Sequence, residues 1–337
     1  MDKRVIFAVA GSGKTTYLVN QLNEDERFLL VTYTNNNVLN LRQGIIEKFG
    51  YFPENIRLYS YYSFLYGFCY KPFLHDELGT KGINYKPNLN RYEKRNKREY
   101  YIDKNNRLYS SRISKLIIEL NLSKDVSKRI SKYFDHLLID EIQDFGGHDF
   151  NFLKKLADSE VSMRFVGDFY QHTFDTSRDG RTNSNLHKDF DKYRKEFESM
   201  GLTVDDTTLS KSHRCSPTIC QYIANNLGIE IESHNAVETT VEYVEDISRI
   251  KGIVADNSIV KLFYKEHHKY FCHSRNWGDS KGENQYHDVC VILNKTTMKL
   301  FEKEKLHELK PTTKNKLYVA ISRARNNLYL IEEDKLK

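Results

Sequence analysis

Ala8-Val9-Ala10-Gly11-Ser12-Gly13-Lys14-Thr15-Thr16 is the stretch whose reading decides the fold. Ahead of it, Arg4-Val5-Ile6-Phe7-Ala8-Val9 is a short apolar run rich in β-branched residues and reads as a buried strand. Behind it, Tyr17-Leu18-Val19-Asn20-Gln21-Leu22 has the apolar spacing of an amphipathic helix. A strand, a glycine turn and a helix opening on Lys-Thr form the setting that a phosphate-binding loop requires. Gly11 and Gly13 let backbone N–H groups close around phosphate oxygens, at a helix N-terminus that already favours anions. On this reading Ala10, Gly11, Ser12, Gly13, Lys14, Thr15 and Thr16 bind nucleotide. Lys14 reaches the β- and γ-phosphates, and the Thr15 hydroxyl ligates Mg²⁺. Ala8 stands where the pattern GxxxxGK[ST] usually opens with glycine. A plain glycine turn between two core elements is the competing reading, and the strand and helix on either side weigh against it.

Outward from the loop, strand and helix alternate. Phe28 to Tyr33 reads as a second strand, Thr34 to Asn37 as a loop, and Leu39, Leu41, Ile45 and Ile46 as the apolar face of a helix. Ile56 to Ser60 is a third strand, followed by an aromatic-rich helix from Tyr61 to Tyr70. His136-Leu137-Leu138-Ile139-Asp140-Glu141 is an apolar strand that delivers two acids at its C-terminal end, where parallel sheets place their ligands. Asp140 would hold Mg²⁺ and Glu141 would polarise the attacking water. An Asp-Glu pair after apolar residues says little alone; the phosphate loop upstream gives it meaning. Arg164 to Asp168 supplies another strand, ending in Gly-Asp-Phe-Tyr-Gln, and the Gln171 amide suits a group that senses the γ-phosphate while holding the water. Phe174 to Asn185 is a polar loop containing Arg178, Gly180 and Arg181.

The chain of 337 residues is long enough for two domains, with 39% hydrophobic and 29% charged residues. No apolar run approaches the ~18 residues of a membrane span and no signal peptide precedes the first strand, so the expected location is cytoplasmic, with no membrane partner. Five cysteines are an odd number without zinc-ribbon spacing and suggest reduced thiols. His267, His268, Cys272 and His273 cluster but lack a second ligand pair, and the alternation from Leu262 to Cys272 suits a strand rather than a metal site. The net charge of +6 is unevenly spread: Lys86 to Lys115 holds ten Lys or Arg against three acids. Tyr85, Tyr92, Tyr100, Tyr101 and Tyr109 are interleaved with these charges. Two readings stand for this segment. It is a nucleic-acid surface, with Lys94, Arg95, Lys97 and Arg98 on phosphates and tyrosines stacking on bases, or it is a solvated, charged insertion.

In order along the chain, these residues carry a family likeness. "AVAGSGKTT", "TYTNNNVLNLR", "LYSYYSF", "LLIDEIQDF", "VGDFYQ", "LSKSHRCSPTIC", "SKGENQYHDVCVIL" and "KLYVAISRAR" resemble the ordered motifs of a superfamily 1 helicase of the UvrD/Rep branch. The resemblance implies an ATP site in which Lys14, Thr15, Asp140, Glu141 and Gln171 act on the first domain. Arg214 and Arg323 would serve as arginine fingers from the second. Glu283 would link the ribose or γ-phosphate to its motif, and His213 stands in place of the family's adenine-stacking Tyr. Thr34, Asn35, Ser60, Tyr61 and His172 fall where the family contacts a single strand. Two departures are visible. Glu283 directly follows Gly282, where the family places a Leu between them. Only about sixty residues separate Cys215 from Arg275, so the second accessory domain is missing and the first is reduced to the Tyr/Lys insertion, about 71–116.

The implied fold is α/β: two RecA-like domains with mostly parallel sheets, of the P-loop NTPase type, over 1–204 and 205–337, with a small basic insertion in the first. The implied function is a nucleic-acid-dependent ATPase, a minimal DNA helicase or translocase of 3′-to-5′ polarity, using ATP and Mg²⁺ on single-stranded DNA, with RNA as the alternative strand. The rival reading is an ATP-gated regulatory or sensor subunit that partners a nuclease, or another protein subunit, in a phage-defence system.

Overall fold

The computed structural model describes residues 1–87, 93–177 and 179–336; Tyr92 and Arg178 lie outside the described residues. The chain divides into two compact units. One comprises Met1–Ile6, Thr15–Gly167 and Phe174–Asp205; the other comprises Phe7–Lys14, Asp168–Thr173 and Asp206–Lys337.

The first unit is built on strands β1 (Lys3–Phe7), β2 (Phe28–Thr32), β3 (Ile56–Ser60), β4 (Gly82–Asn84), β5 (Arg107–Tyr109), β6 (His136–Asp140), β7 (Ser162–Gly167) and β8 (Thr203–Asp205). Six of them form one sheet in the order β3-β2-β6-β7-β1-β8. The pairings of β2 with β3 and β6, of β6 with β7 and of β1 with β8 are parallel. Every residue of β2 is buried, as a strand covered on both faces of a parallel sheet must be. Parallel direction brings the C-terminal ends of these strands to one edge, and Asp140 closes β6 at that edge. Helix α1 (Lys14–Asn20) follows the glycine turn after β1. Helix α2 (Asn35–Phe49) starts earlier than the loop expected over 34–37. The Thr34 hydroxyl accepts from Asn37 N–H at 3.1 Å, and this N-cap draws the three asparagines into the first turn.

The insertion folds as part of this unit. A helix spans Lys71–Leu78, and β4 and β5 form a two-stranded parallel sheet. Burial corrects the expectation of base-stacking tyrosines here: Tyr100, Tyr101 and Tyr109 are each at most 7% exposed. Arg112 and Lys115 are likewise not surface charges. They lie 3.2 and 3.6 Å from the Asp179 carboxylate, and the Arg112 guanidinium sits 3.5 Å from the centre of the Tyr100 ring. His148 and Arg112 together hold Asp179 well below the usual carboxylate range.

The second unit carries β9 (Lys211–Ser212), β10 (Glu232–Ser233), β11 (Val241–Tyr243), β12 (Val260–Phe263), β13 (Ser274–Asn276), β14 (Val289–Leu293) and β15 (Leu328–Glu332). Its main sheet runs β11-β15-β14-β12-β13, with all four pairings parallel. Helices Pro217–Leu227 and Pro311–Ile321 pack on it around Trp277, Val289 and Leu328. The strand expected through Leu262 to Cys272 ends at Phe263; a loop with a short turn at His267–Lys269 follows. In that loop His267 Nδ1 meets the Ser274 hydroxyl and His273 Nδ1 the Asn257 carbonyl, so two of the four clustered side chains are engaged elsewhere. Both main sheets are thus parallel and helix-covered, as two RecA-like domains require.

Asp179→Ala strands two buried cations and is expected to destabilise the first unit by about 3 kcal/mol, read from denaturant unfolding. The wild-type contribution is full above the ordinary carboxylate range and is lost as pH falls through it toward the lowered folded value. A change under about 1 kcal/mol would mean that these pairs do not anchor the insertion.

Candidate nucleotide and nucleic-acid site

The phosphate-loop geometry begins with two backbone conformations that L side chains rarely adopt: Gly11 has φ +73° and Gly13 φ +86°. Gly11 is also tightly enclosed. A Cβ there would lie 2.6 Å from Arg214 Cβ and 2.8 Å from Ser212 Oγ. The Gly11 carbonyl accepts from His213 N–H at 2.9 Å, and Val9 N–H donates to the Leu209 carbonyl at 3.0 Å. The segment 209–214 is therefore fastened alongside the loop.

A buried polar chain holds the loop from its other side. Ala10 N–H donates to the Tyr318 hydroxyl at 2.9 Å, and that hydroxyl donates to Asp168 Oδ2 at 3.1 Å. Gln171 Nε2 donates to the same Asp168 oxygen at 2.7 Å. Gln171, Asp168 and Tyr318 are all under 5% exposed. Tyr318 and Asp168 escaped the sequence reading as site residues although both lie inside quoted motifs. Nothing in their type announces that one hydroxyl would join three segments.

The acid pair sits in the first unit. Asp140 is 3% exposed, and its Oδ1 accepts from Glu141 N–H at 2.9 Å. Glu141 adopts φ +56°, ψ 45°, an uncommon conformation for a non-glycine residue. Its carboxylate accepts a hydrogen bond from the Gln143 amide. Gln143 is fully buried over Gly167, where a Cβ would come within 2.2 Å of Gln143 Oε1. Gln143 is thus a second residue missed from sequence, present in the Asp-Glu-x-Gln core but assigned no role there. Thr15, in the first turn of α1, is half-buried, and Thr16 is exposed.

Arg214 and Arg323 share one neighbourhood of the second unit. Arg214 donates to the Ser322 carbonyl at 3.1 Å and to Asn284 Oδ1, and burial lowers its pKa. Arg323 is 2% exposed; its Nε meets the Val319 carbonyl and its terminal nitrogen the Glu283 carbonyl at 3.0 Å. Glu283 therefore reaches Arg323 through its backbone. Its carboxylate pairs instead with the Tyr286 hydroxyl and with Arg275 at 3.4 Å. His213 is exposed and stacks on His234, ring centres 4.0 Å apart and 10° from parallel.

Of the residues expected to meet a strand, Asn35 is exposed, while Thr34, Ser60 and His172 are half-buried. Ser60 and Thr34 both serve as helix N-caps. Tyr61 is corrected: it is 1% exposed, edge-on to Phe145 at 4.7 Å, and belongs to the core. Lys94, Arg95, Lys97 and Arg98 are all exposed. Lys97 pairs with Glu93 at 3.7 Å and Arg98 donates to the Leu78 carbonyl, whereas Lys94 and Arg95 form no ion pair among the described residues.

Gly11→Ala adds strain at positive φ to a clash with Ser212 and Arg214, and is expected to destabilise the second unit by about 1–3 kcal/mol. Thermal unfolding measures this. An unchanged melting curve would mean that the loop is free to move off segment 209–214.

Residues 79–176, less than a third of the chain, match the UvrD/REP helicase N-terminal domain. No curated protein sequence matches the chain. Among solved structures, an arterivirus nonstructural protein 10, a helicase solved in complex with DNA, has a TM-score of 0.52 and 15% identity. That match covers 98% of this chain and 61% of the helicase. A crystal structure of arterivirus nonstructural protein 10 gives a TM-score of 0.50 and 14% identity, covering 98% of this chain and 59% of the other. The chain thus spans about three fifths of the length of these helicases, and at such identity the likeness is one of fold. Among the described residues no helix is long and apolar enough to cross a membrane. Residues 79–176 are thus similar to the UvrD/REP helicase N-terminal domain, and the two-sheet α/β fold is similar to that of the arterivirus helicase.

Proposed function

We propose that the protein is a nucleic-acid-dependent ATPase that couples ATP hydrolysis to movement on single-stranded DNA. The observation that carries this reading is the loop Gly11 to Lys14. Its two positive-φ glycines, without side chains on either side of the buried Ser12, curve the backbone into a cradle that opens onto a helix beginning at Lys14. That donor set fits the phosphates of ATP, and the Thr15 hydroxyl with the Asp140 carboxylate fits Mg²⁺, an oxygen-seeking cation. When bound, Mg²⁺ would neutralise charge on the β- and γ-phosphates. Lys14 binds the phosphates. Glu141, aimed by its left-handed backbone and by Gln143, orients and polarises the attacking water. Gln171, fixed on Asp168, senses the γ-phosphate. Arg214 and Arg323 meet the charge that develops as the phosphoryl group leaves. The exposed cations Lys94 and Arg95, with Asn35 and Ser60, contact the strand.

Roles so assigned separate under mutation. Lys14→Ala is expected to weaken nucleotide binding, whereas Glu141→Gln keeps binding and loses turnover. Normal turnover in Glu141→Gln would remove Glu141 from the chemistry. Arg214→Ala and Arg323→Ala are each expected to lower turnover by about 10³-fold or more with a much smaller loss of ATP affinity. Equal losses in both would instead mark a ground-state contact.

Strand binding has its own test. Replacing Lys94 and Arg95 with Ser is expected to make the log–log salt dependence of single-strand affinity shallower, by about 0.7 for each phosphate these cations neutralise. ATP affinity without DNA is expected to stay unchanged. An unaltered slope and affinity would make these charges a solvated surface.

A further inference from the structure

The first unit contains a cavity of about 820 Å³ that lies outside the proposed ATP site and shares only Arg95 with the proposed strand contacts. Its walls come from the insertion, from helix Gly147–Leu156 through His148, and from the polar loop beginning at Phe174. The volume is that of a small-ligand site rather than a surface dimple.

Charge in the cavity is unbalanced in a specific way. The three acids in its walls are all engaged: Glu93 with Lys97, Asp175 with His187 at 3.6 Å, and Asp179 with Arg112, Lys115 and His148. Three cations in the same walls, Lys86, Arg95 and Arg181, are exposed and have no acidic partner among the described residues. Deeper in, Arg112 is 3% exposed and its Nε is buried without a hydrogen-bond partner. Burial first, and then the like charge of Arg95 and Arg112, lower the proton affinity of Lys115. Cations from four chain segments thus converge where the available carboxylates are already spent. Such a concavity is completed by an anion that brings several acceptor oxygens. Beside it Tyr85 is 65% exposed, its ring braced edge-on against Tyr62 at 5.2 Å. An aromatic face next to an anion site suits a base next to a phosphate.

We infer that this cavity binds the phosphate of a nucleotide, either a free nucleoside monophosphate or the phosphorylated end of a strand. Lys86, Arg95 and Arg181 take the charge and Tyr85 stacks on the base. The site lies within the first unit and needs neither the phosphate loop nor the arginine fingers, so it stands or fails separately from the ATPase reading. A continuous strand held only along its backbone would show no preference for its ends.

The test uses the full chain without ATP. Short oligothymidylates bearing a 5′-phosphate, a 3′-phosphate or hydroxyls at both ends are titrated by fluorescence anisotropy, and thymidine monophosphate by calorimetry. One phosphorylated end is expected to bind about tenfold tighter than the hydroxyl-ended strand, or the monophosphate to bind alone, and the probe that responds identifies the source. The doubly substituted Lys86→Ser, Arg181→Ser protein is expected to lose that increment. Lys14→Ala is expected to keep it, which separates this cavity from the phosphate loop. Equal binding of all three oligonucleotides with no monophosphate binding overturns the inference. So does an increment that survives the double substitution.

Discussion

The second unit depends on there being no side chain at Gly11. With its would-be Cβ 2.6 Å from Arg214 and 2.8 Å from Ser212, the loop and segment 209–214 approach as closely as backbones can. This proximity lets the Gly11 carbonyl bind His213 N–H and leaves the Ala10 N–H aimed at Tyr318. From there one hydroxyl, accepting from Ala10 and donating to Asp168, joins chain positions more than three hundred residues apart. A buried polar chain of this kind is stable only when every member is satisfied, so a shift of the loop must be felt at Gln171 and Tyr318. These bonds lie within the second unit, which takes in Phe7–Lys14 and Asp168–Thr173.

The first unit meets a different constraint at its acid pair. Parallel strands put Asp140 at the sheet edge, but the direction of the next carboxylate depends on Glu141 leaving the strand through a left-handed conformation. Such a conformation costs on the order of 1 kcal/mol and persists only where neighbours over-determine it. Here Gln143, packed over Gly167 where no larger residue fits, supplies that support. The Glu141 carboxylate is thus held in one direction, at the expense of local backbone comfort.

The first sheet was legible from sequence because its signals are local, whereas the second followed only from the family resemblance. A glycine turn between an apolar strand and a helix, or an acid pair ending an apolar run, can be read within about ten residues. The asparagines after Thr34 misled because a cap hydroxyl outweighed their loop preference. The insertion was harder for a physical reason. Arg112 and Lys115 look like surface charges until Asp179 is known to sit beside them, and Arg112 lies 67 positions from it in the chain. Burial of Tyr100 follows from the same partner, since ordering Arg112 and Lys115 orders the ring they lie over. Tyr61 shares a motif with strand contacts yet faces Phe145, because a side chain's facing is set by packing and not by the motif it belongs to.

Steady-state ATP hydrolysis by the full chain, measured with and without single-stranded DNA, tests the proposed activity most directly. Turnover that requires Mg²⁺ and rises when the strand is added is the expected result. Hydrolysis indifferent to the strand, or no hydrolysis in its presence, would contradict it.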